Sequence, residues 1–307
     1  MTNAFSTHPI RPCQLAGLLL ALLWSLCASA QPAAEPLVLT ALAPLHGLAQ
    51  PLLANTPIEL RQVPEQARPM QAQPTLFTRQ AERFAEDFTQ ADAVIGISQV
   101  WRSDPFYITA RSFNIRVVHI DAAIPWSHER GGIPVANAPA SGGVSPYLWL
   151  GLSNVLRLLD NIAWDLQQLY PEYAATIRAN LNTQKAEWLQ LKADYEQALL
   201  AIDDPAVYAL AEEFVYLTRD LGLFVGGYFI KQDIDWTEQD LMRLSDTLRN
   251  NGIRVVLHKW EPSEAIQAAI RDTGAELVIL DTLETSTDFK ADFERNLALL
   301  LGALGGG

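Results

Sequence analysis

From residue 36 onward the chain alternates short apolar runs with stretches of helical spacing. Residues 37–43 are apolar apart from one threonine, as expected of a strand buried on both faces. A short helix is predicted over 46–53 and a second strand over 58–63. Over 76–91, Phe77, Ala81, Phe84 and Phe88 fall on one helical face. Short β-branched runs follow at 93–97 and 115–120. Residues 124–146 carry Gly131-Gly132, Gly142-Gly143 and several prolines, and read as loop. Two long helices are predicted next, over 148–169 and from Pro171 to about residue 200. Pro171 with Glu172 behind it is a helix start, and Ile177, Leu181, Trp188, Leu191 and Tyr195 keep roughly one stripe. A helix of roughly 30 residues spans about 45 Å, longer than one lobe needs, and suggests a connecting rod. The α/β pattern then resumes, with strands over 206–210, 223–229, 253–258 and 276–281 and helices over 237–250, 263–273 and 288–304. Asn251-Gly252 and Gly274 are helix stops. The pattern predicts an α/β protein of two lobes, each with a parallel sheet of about four strands.

The first thirty residues do not belong to this pattern. Arg11 precedes an apolar run from Leu15 to Leu26 that ends in Ala28-Ser29-Ala30. A charged start, a short apolar stretch and a small-residue cleavage site describe a secretory signal peptide. The run is shorter than the roughly 20 residues of a membrane span. Cys27 lacks the small residues before it that a lipidation signal requires. The expectation is an exported, periplasmic protein with a signal peptide at 1–30, an N-terminal lobe at 31–170, a connecting helix at 171–201 and a C-terminal lobe at 202–307.

Removing that segment changes what the composition permits. The chain of 307 residues has two cysteines, Cys13 and Cys27, and both lie in it. No disulfide or thiolate ligand is expected in the exported protein. With 22 basic against 35 acidic residues and 49% hydrophobic residues, the chain is neither disordered nor a nucleic-acid binder.

Ligands of open parallel sheets bind at the carboxyl ends of the strands. That rule selects His258 and Asp281, each closing a strand, and Glu212 and Glu213 after the first C-lobe strand. In the N-lobe it selects Met70, Trp101 and Tyr147. Each also has an ordinary reading: a carboxylate after a strand is often a helix cap, and Met70 and the tryptophans pack cores. There is no phosphate loop, nucleophile elbow or His-Glu-x-x-His pair, and His46, His119, His128 and His258 are not at metal-ligand spacing. No enzyme is indicated.

Several local matches agree in order and spacing. They are Ala43-Pro44-Leu45-His46-Gly47-Leu48, Gln90-Ala91-Asp92-Ala93-Val94-Ile95-Gly96, and Trp149-Leu150 with Asn154. They continue with Pro171-Glu172, Ala174 and Asn180; then Phe214, Tyr216 and Leu221-Gly222-Leu223; then Thr273-Gly274-Ala275, Leu280-Asp281 and Leu283. The chain resembles the solute-binding proteins that deliver zinc or manganese to ABC importers, over nearly all of the exported part. The resemblance implies two lobes joined by a rigid helix, one divalent metal ion in the cleft, a permease in the inner membrane as partner, and a monomer.

By the same resemblance, the family's metal ligands fall here on Met70, Tyr147, Ala211 and Asp281. Only the last keeps a ligand of the expected kind. Thioether sulfur suits Cu(I) better than Zn²⁺ or Mn²⁺, and a neutral phenol is a poor ligand. A rewired metal site of Asp281, His258, Glu212 and Tyr147, with Met70 beside it, is one expectation. Another is an aromatic cleft of Met70, Trp101, Tyr147, Trp236 and Trp260, with Glu213 nearby, for an organic ligand or metal chelate. A third is an accessory protein with a dead metal site.

Overall fold

Two four-stranded sheets carry the same wiring, β2-β1-β3-β4 and β6-β5-β7-β8, with every neighbouring pair parallel. The computed structural model describes residues 35–127 and 130–305. The signal segment and His128 lie outside the described residues. The strands of the first sheet are β1 (Leu37–Thr40), β2 (Glu59–Gln62), β3 (Ala93–Gly96) and β4 (Val118–Asp121). Those of the second are β5 (Ala206–Ala209), β6 (Phe224–Tyr228), β7 (Val255–His258) and β8 (Glu276–Ile279). The central strands β1, β3, β5 and β7 are buried at every position. This is why they read as continuous apolar runs rather than alternating ones.

Alternate residues of these strands face different cores. Val38, Ala93, Ile95, Val207, Val255 and Leu257 belong to one central core. The helices α1 (Ala43–Leu52), α5 (Leu152–Leu169), α6 (Ala174–Leu199) and α10 (Phe289–Gly305) fill it. Leu37, Leu39 and Val94 face a separate core that contains Phe77, Phe84, Phe88 and Phe106. There Phe77 lies 5.3 Å from Phe106 and 5.7 Å from Phe84, centroid to centroid. On the outer face of the second sheet, Tyr208 and Val256 pack with Leu244, Leu248, Ile266 and Ile270 of α8 (Glu238–Asn250) and α9 (Glu264–Arg271).

Helix α6 is 26 residues, about 39 Å long. It is tied to the first lobe by Asn180, whose side-chain amide donates to the carbonyls of Leu52 (2.9 Å) and Ala54 (2.8 Å). It is tied to the C-terminal helix by Trp188, with ring centroids 5.7 Å from Phe289 and 5.4 Å from Phe293. Packing on both sides makes it a strut between the lobes. Among the described residues no helix is long and apolar enough to cross a membrane.

Several local expectations are corrected. The helix expected over 76–91 is split into α2 (Gln73–Gln80), a 3₁₀ turn (Ala81–Phe84) and α3 (Ala85–Gln90), yet Phe77, Phe84 and Phe88 still share one buried side. Helices α4 (Phe106–Phe113) and α7 (Val215–Asp220) were not anticipated. At eight and six residues they are too short for periodicity to separate from loop. The α4 start is marked instead by Asp104, whose Oδ1 accepts the Phe106 N–H at 2.9 Å. The helix expected from residue 148 begins at Leu152, after a 3₁₀ turn (Leu148–Leu150) and Gly151.

Candidate functional site

The site is built where the carboxyl ends of β5, β7 and β8 meet the segment around Met70 and Tyr147. Met70 opens a 3₁₀ turn (Met70–Ala72) and is buried in the central core. Its N–H donates to Oε1 of Glu284 at 2.7 Å. The next residue, Gln71, donates from its side-chain amide to the Tyr147 hydroxyl at 3.0 Å. Tyr147 is buried edge-on against Trp149, with centroids 5.5 Å apart. The Trp149 indole N–H donates to the Thr282 carbonyl at 2.8 Å. Burial raises the Tyr147 pKa, and the negative charges of Glu284, Glu213 and Glu212 add to the shift, so the phenol stays protonated.

From the second lobe come two buried acids and a lysine. Glu213 follows β5, with 6% of its surface exposed. One of its carboxylate oxygens is ion-paired with Lys259 Nζ, and Oε2 has no hydrogen-bond partner among the described residues. Lys259 follows β7, and its ammonium lies 4.6 Å from the centre of the Trp260 ring. Glu284 follows β8 and is 7% exposed. Its Oε2 accepts from the Thr282 hydroxyl at 3.1 Å. Burial pushes the Glu284 pKa up, two hydrogen bonds and the Lys259 charge oppose this, and the Glu213 charge adds to it.

The structure does not bring the expected metal set together. Among the described residues there is no group of three or more His, Cys, Asp or Glu side chains able to hold a metal ion. Each candidate is engaged locally. Asp281 is exposed, and its Oδ1 accepts the Leu283 N–H at 2.6 Å. That bond caps a turn whose Leu283 has φ 63°. The Asp281 backbone is clamped by Asn296 at 2.9 and 2.7 Å. His258 is buried, its Nδ1 accepts the Lys259 N–H at 2.9 Å, and its ring packs 4.8 Å from Trp260. Burial lowers its pKa to about 4, so it is neutral. Trp101 sits in a turn, its N–H bonded to the Ile97 carbonyl at 2.8 Å, and packs against the central core. Trp260 is 44% exposed.

Glu212 turns away to the glycine-rich segment. Its Oε2 accepts the N–H groups of Ala140 (2.9 Å) and Ser141 (3.1 Å). That segment is not featureless: Asn137 and Val144 form an antiparallel bridge. The Tyr216 hydroxyl pins it by donating to the Ser145 carbonyl at 2.8 Å and accepting the Ala136 N–H at 3.1 Å. Glu212→Ala is expected to cost about 1 kcal/mol. It should also raise amide exchange at Ala140 and Ser141 about fivefold, read by hydrogen exchange. Unchanged exchange would show that Tyr216 and the backbone bonds of the turn hold it without Glu212.

A cavity of about 960 Å³ lies beside this group. It is lined by His46, Arg61, Gln62 and Glu65 of the first lobe and by Thr285 and Ser286, which continue from Glu284. Its basic group is already neutralised, because Arg61 pairs with Glu59 at 2.6 Å and Asp87 at 2.5 Å. His46 shares a 3.0 Å hydrogen bond with the Thr40 hydroxyl, and burial lowers its pKa.

Two lobes of identical wiring, a strut helix packed on both and polar groups facing the junction are the architecture of a solute-binding receptor. The family profile described as zinc-uptake complex component A, periplasmic (ZnuA), matches residues 63–304, and the chain belongs to this family. Its members are binding receptors of ABC importers, not enzymes. Zinc-binding protein AdcA of Streptococcus pyogenes serotype M6 is 24% identical over 147 residues, which is 47% of this chain and 28% of that one. The match thus spans little more than a quarter of that curated relative. A crystal structure of ZnuA superposes with TM-score 0.69 at 18% identity, covering 88% of this chain and 99% of that one. FpvC of Pseudomonas aeruginosa in complex with Ni²⁺ gives TM-score 0.67 at 20% identity over 89% and 97%. Zn(II)-bound AdcA of Streptococcus pneumoniae gives 0.68 at 17% over 88% and 58%. At these identities the structures speak for the shared fold.

Sequence reasoning selected Met70, Tyr147 and Glu213 and missed Gln71, Lys259 and Glu284. The one available signal was position: Lys259 and Glu284 leave the carboxyl ends of β7 and β8, as the strand-end rule requires.

Proposed function

We propose that this protein is a periplasmic receptor, exported by a cleavable signal peptide, that captures a divalent metal ion at the junction of its lobes and passes it to a membrane permease. What carries this reading is membership of the zinc-uptake family over residues 63–304, together with two buried acids, Glu213 and Glu284, that follow β5 and β8. Carboxylate oxygens suit a hard or borderline divalent ion. The protonated phenol and the thioether add little to its coordination, so the site is leaner than the four-ligand set zinc prefers. Family membership supports the cargo class, and the zinc and nickel named for the AdcA and FpvC relatives support it further. Titration calorimetry on metal-stripped protein with zinc and manganese salts tests it. The expected result is a saturable heat that is lost in Glu213→Gln and Glu284→Gln. Absence of heat with either ion well above micromolar concentration would overturn the reading.

A second reading, an organic ligand or metal chelate, is favoured by the 960 Å³ cavity beside Thr285 and Ser286 rather than by the expected aromatic cleft, since none of Met70, Trp101, Tyr147, Trp236 and Trp260 lines it. Under that reading a bare salt leaves the melting temperature unchanged and the loaded chelate raises it.

A further inference from the structure

We propose that a second, smaller cavity, between the start of α5 and α7, binds a small zwitterion, an amino acid of about the size of serine. It shares no residue with the cargo reading or with the 960 Å³ cavity, and it stands or falls independently of both.

The cavity measures about 200 Å³ and is lined by Gly151, Ser153 and Asn154 at the start of α5 and by Tyr216, Arg219 and Asp220 of α7. At roughly 30 Å³ per water it has room for about seven waters, or for a ligand of about that many heavy atoms. Asn154, which matched the family's spacing together with Trp149-Leu150, is the residue that points to a ligand. It is only 6% exposed, yet its side-chain amide has no hydrogen-bond partner among the described residues. A buried amide is ordinarily paired, because an unpaired one has given up its water for nothing. This one opens on the cavity, and the Ser153 hydroxyl beside it is also without a partner among the described residues. Gly151 keeps the space between the two helices narrow but open. A β-carbon there would lie 3.3 Å from Cβ of Tyr216 and 3.7 Å from Cβ of Asn154.

The charges on the lining select the class of ligand. Arg219 and Asp220 are neighbours at the end of α7, and adjacent residues on a helix do not face each other. Among the described residues neither is in an ion pair. The Arg219 guanidinium reaches only the Val135 carbonyl, at 3.4 Å. Asp220 Oδ2 accepts the Ser153 N–H at 2.8 Å and so caps α5, whose N-cap, Gly151, has no side chain to do it. Its Oδ1 has no hydrogen bond among the described residues. A simple anion in this cavity meets the Asp220 carboxylate, and a simple cation meets the Arg219 guanidinium. A molecule that carries a carboxylate and an ammonium engages both. The Asn154 amide, a donor at Nδ2 and an acceptor at Oδ1, serves either end.

The test is a titration of the isotope-labelled protein with L-serine, followed at the Asn154 side-chain amide by NMR. Sodium acetate and methylammonium chloride, the two halves of a zwitterion, are titrated in parallel. L-Serine is expected to move the amide resonance saturably, and each half to bind at least tenfold more weakly, since it forgoes one charge-assisted contact. Arg219→Gln and Asp220→Asn are each expected to weaken L-serine at least tenfold for the same reason. Arg219 is exposed, and asparagine at 220 keeps an oxygen for the Ser153 N–H, so both variants retain the fold. No saturable shift well above millimolar L-serine would overturn the site. Acetate or methylammonium binding as tightly as L-serine would overturn the zwitterion, and so would L-serine affinity unchanged in both variants.

Discussion

Replacing Trp149 with alanine is expected to lower the unfolding free energy by about 4 kcal/mol, the usual cost of emptying a large buried aromatic site. Trp149 is fully buried in the core shared by both lobes. Its ring supports Tyr147 edge-on, and its indole N–H satisfies the Thr282 carbonyl across the junction. The alanine variant loses the packing, leaves that carbonyl without its donor and removes the wall behind Tyr147. Trp149→Phe keeps most of the packing and loses the hydrogen bond, so about 1–2 kcal/mol is expected. Urea unfolding of the two variants separates the contributions. If both lost the same amount, the hydrogen bond and not the ring would be what joins the lobes there.

The second large effect is a pH dependence centred on Asp104. This side chain is buried at the carboxyl end of β3, accepting the Phe106 N–H and, at 3.3 Å, the Ile97 N–H. Burial raises its pKa from 3.8 to about 6, opposed by these hydrogen bonds, and the Asp121 charge adds to the rise. Between those values the folded state holds more protons than the unfolded one. The contribution to stability is therefore fully present below about pH 4 and is lost as pH rises through 6. About two units correspond to about 3 kcal/mol. Asp104→Asn imitates the protonated acid and has no such loss. Its stability relative to wild type is expected to rise by about 3 kcal/mol between pH 4 and 7.5. His258 works in the opposite sense, since burial lowers its pKa from 6.5 to about 4, and its contribution is lost as pH falls through that window. The wild-type profile mixes these with other buried groups, above all Asp165, whose pKa burial raises to about 7, so the difference between Asp104→Asn and wild type is the quantity to measure by urea unfolding. A flat difference would show that the buried carboxylate stays charged throughout.

The acids at the junction explain why the site was only partly readable. Glu212 and Glu213 are adjacent in sequence and identical in type. One reaches outward to cap the turn at Ala140 and Ser141, and the other turns inward to Lys259. Nothing in the local sequence distinguishes them, because the choice depends on what the neighbouring strands bring alongside. Asp281 was selected by the strand-end rule and by family position, yet its carboxylate closes its own turn on Leu283. Glu284, three residues on, reaches Met70 instead.

The sequence by itself determined the α/β class, the two sheets and the strut helix. These follow from near-neighbour patterns: apolar runs for strands buried on both faces, a stripe from Ile177 to Tyr195 for α6, and glycines at the helix stops. The same patterns, read with the family's spacing, pointed to the zinc-uptake family, to which the chain belongs. The tertiary structure alone decided which polar groups share the junction. Met70 and Glu284 are 214 positions apart in the chain, and Glu213 and Lys259 are 46 apart. Contacts at such separations are set by sheet order and by the packing of one lobe on the other, and neither leaves a local periodicity for the sequence to display.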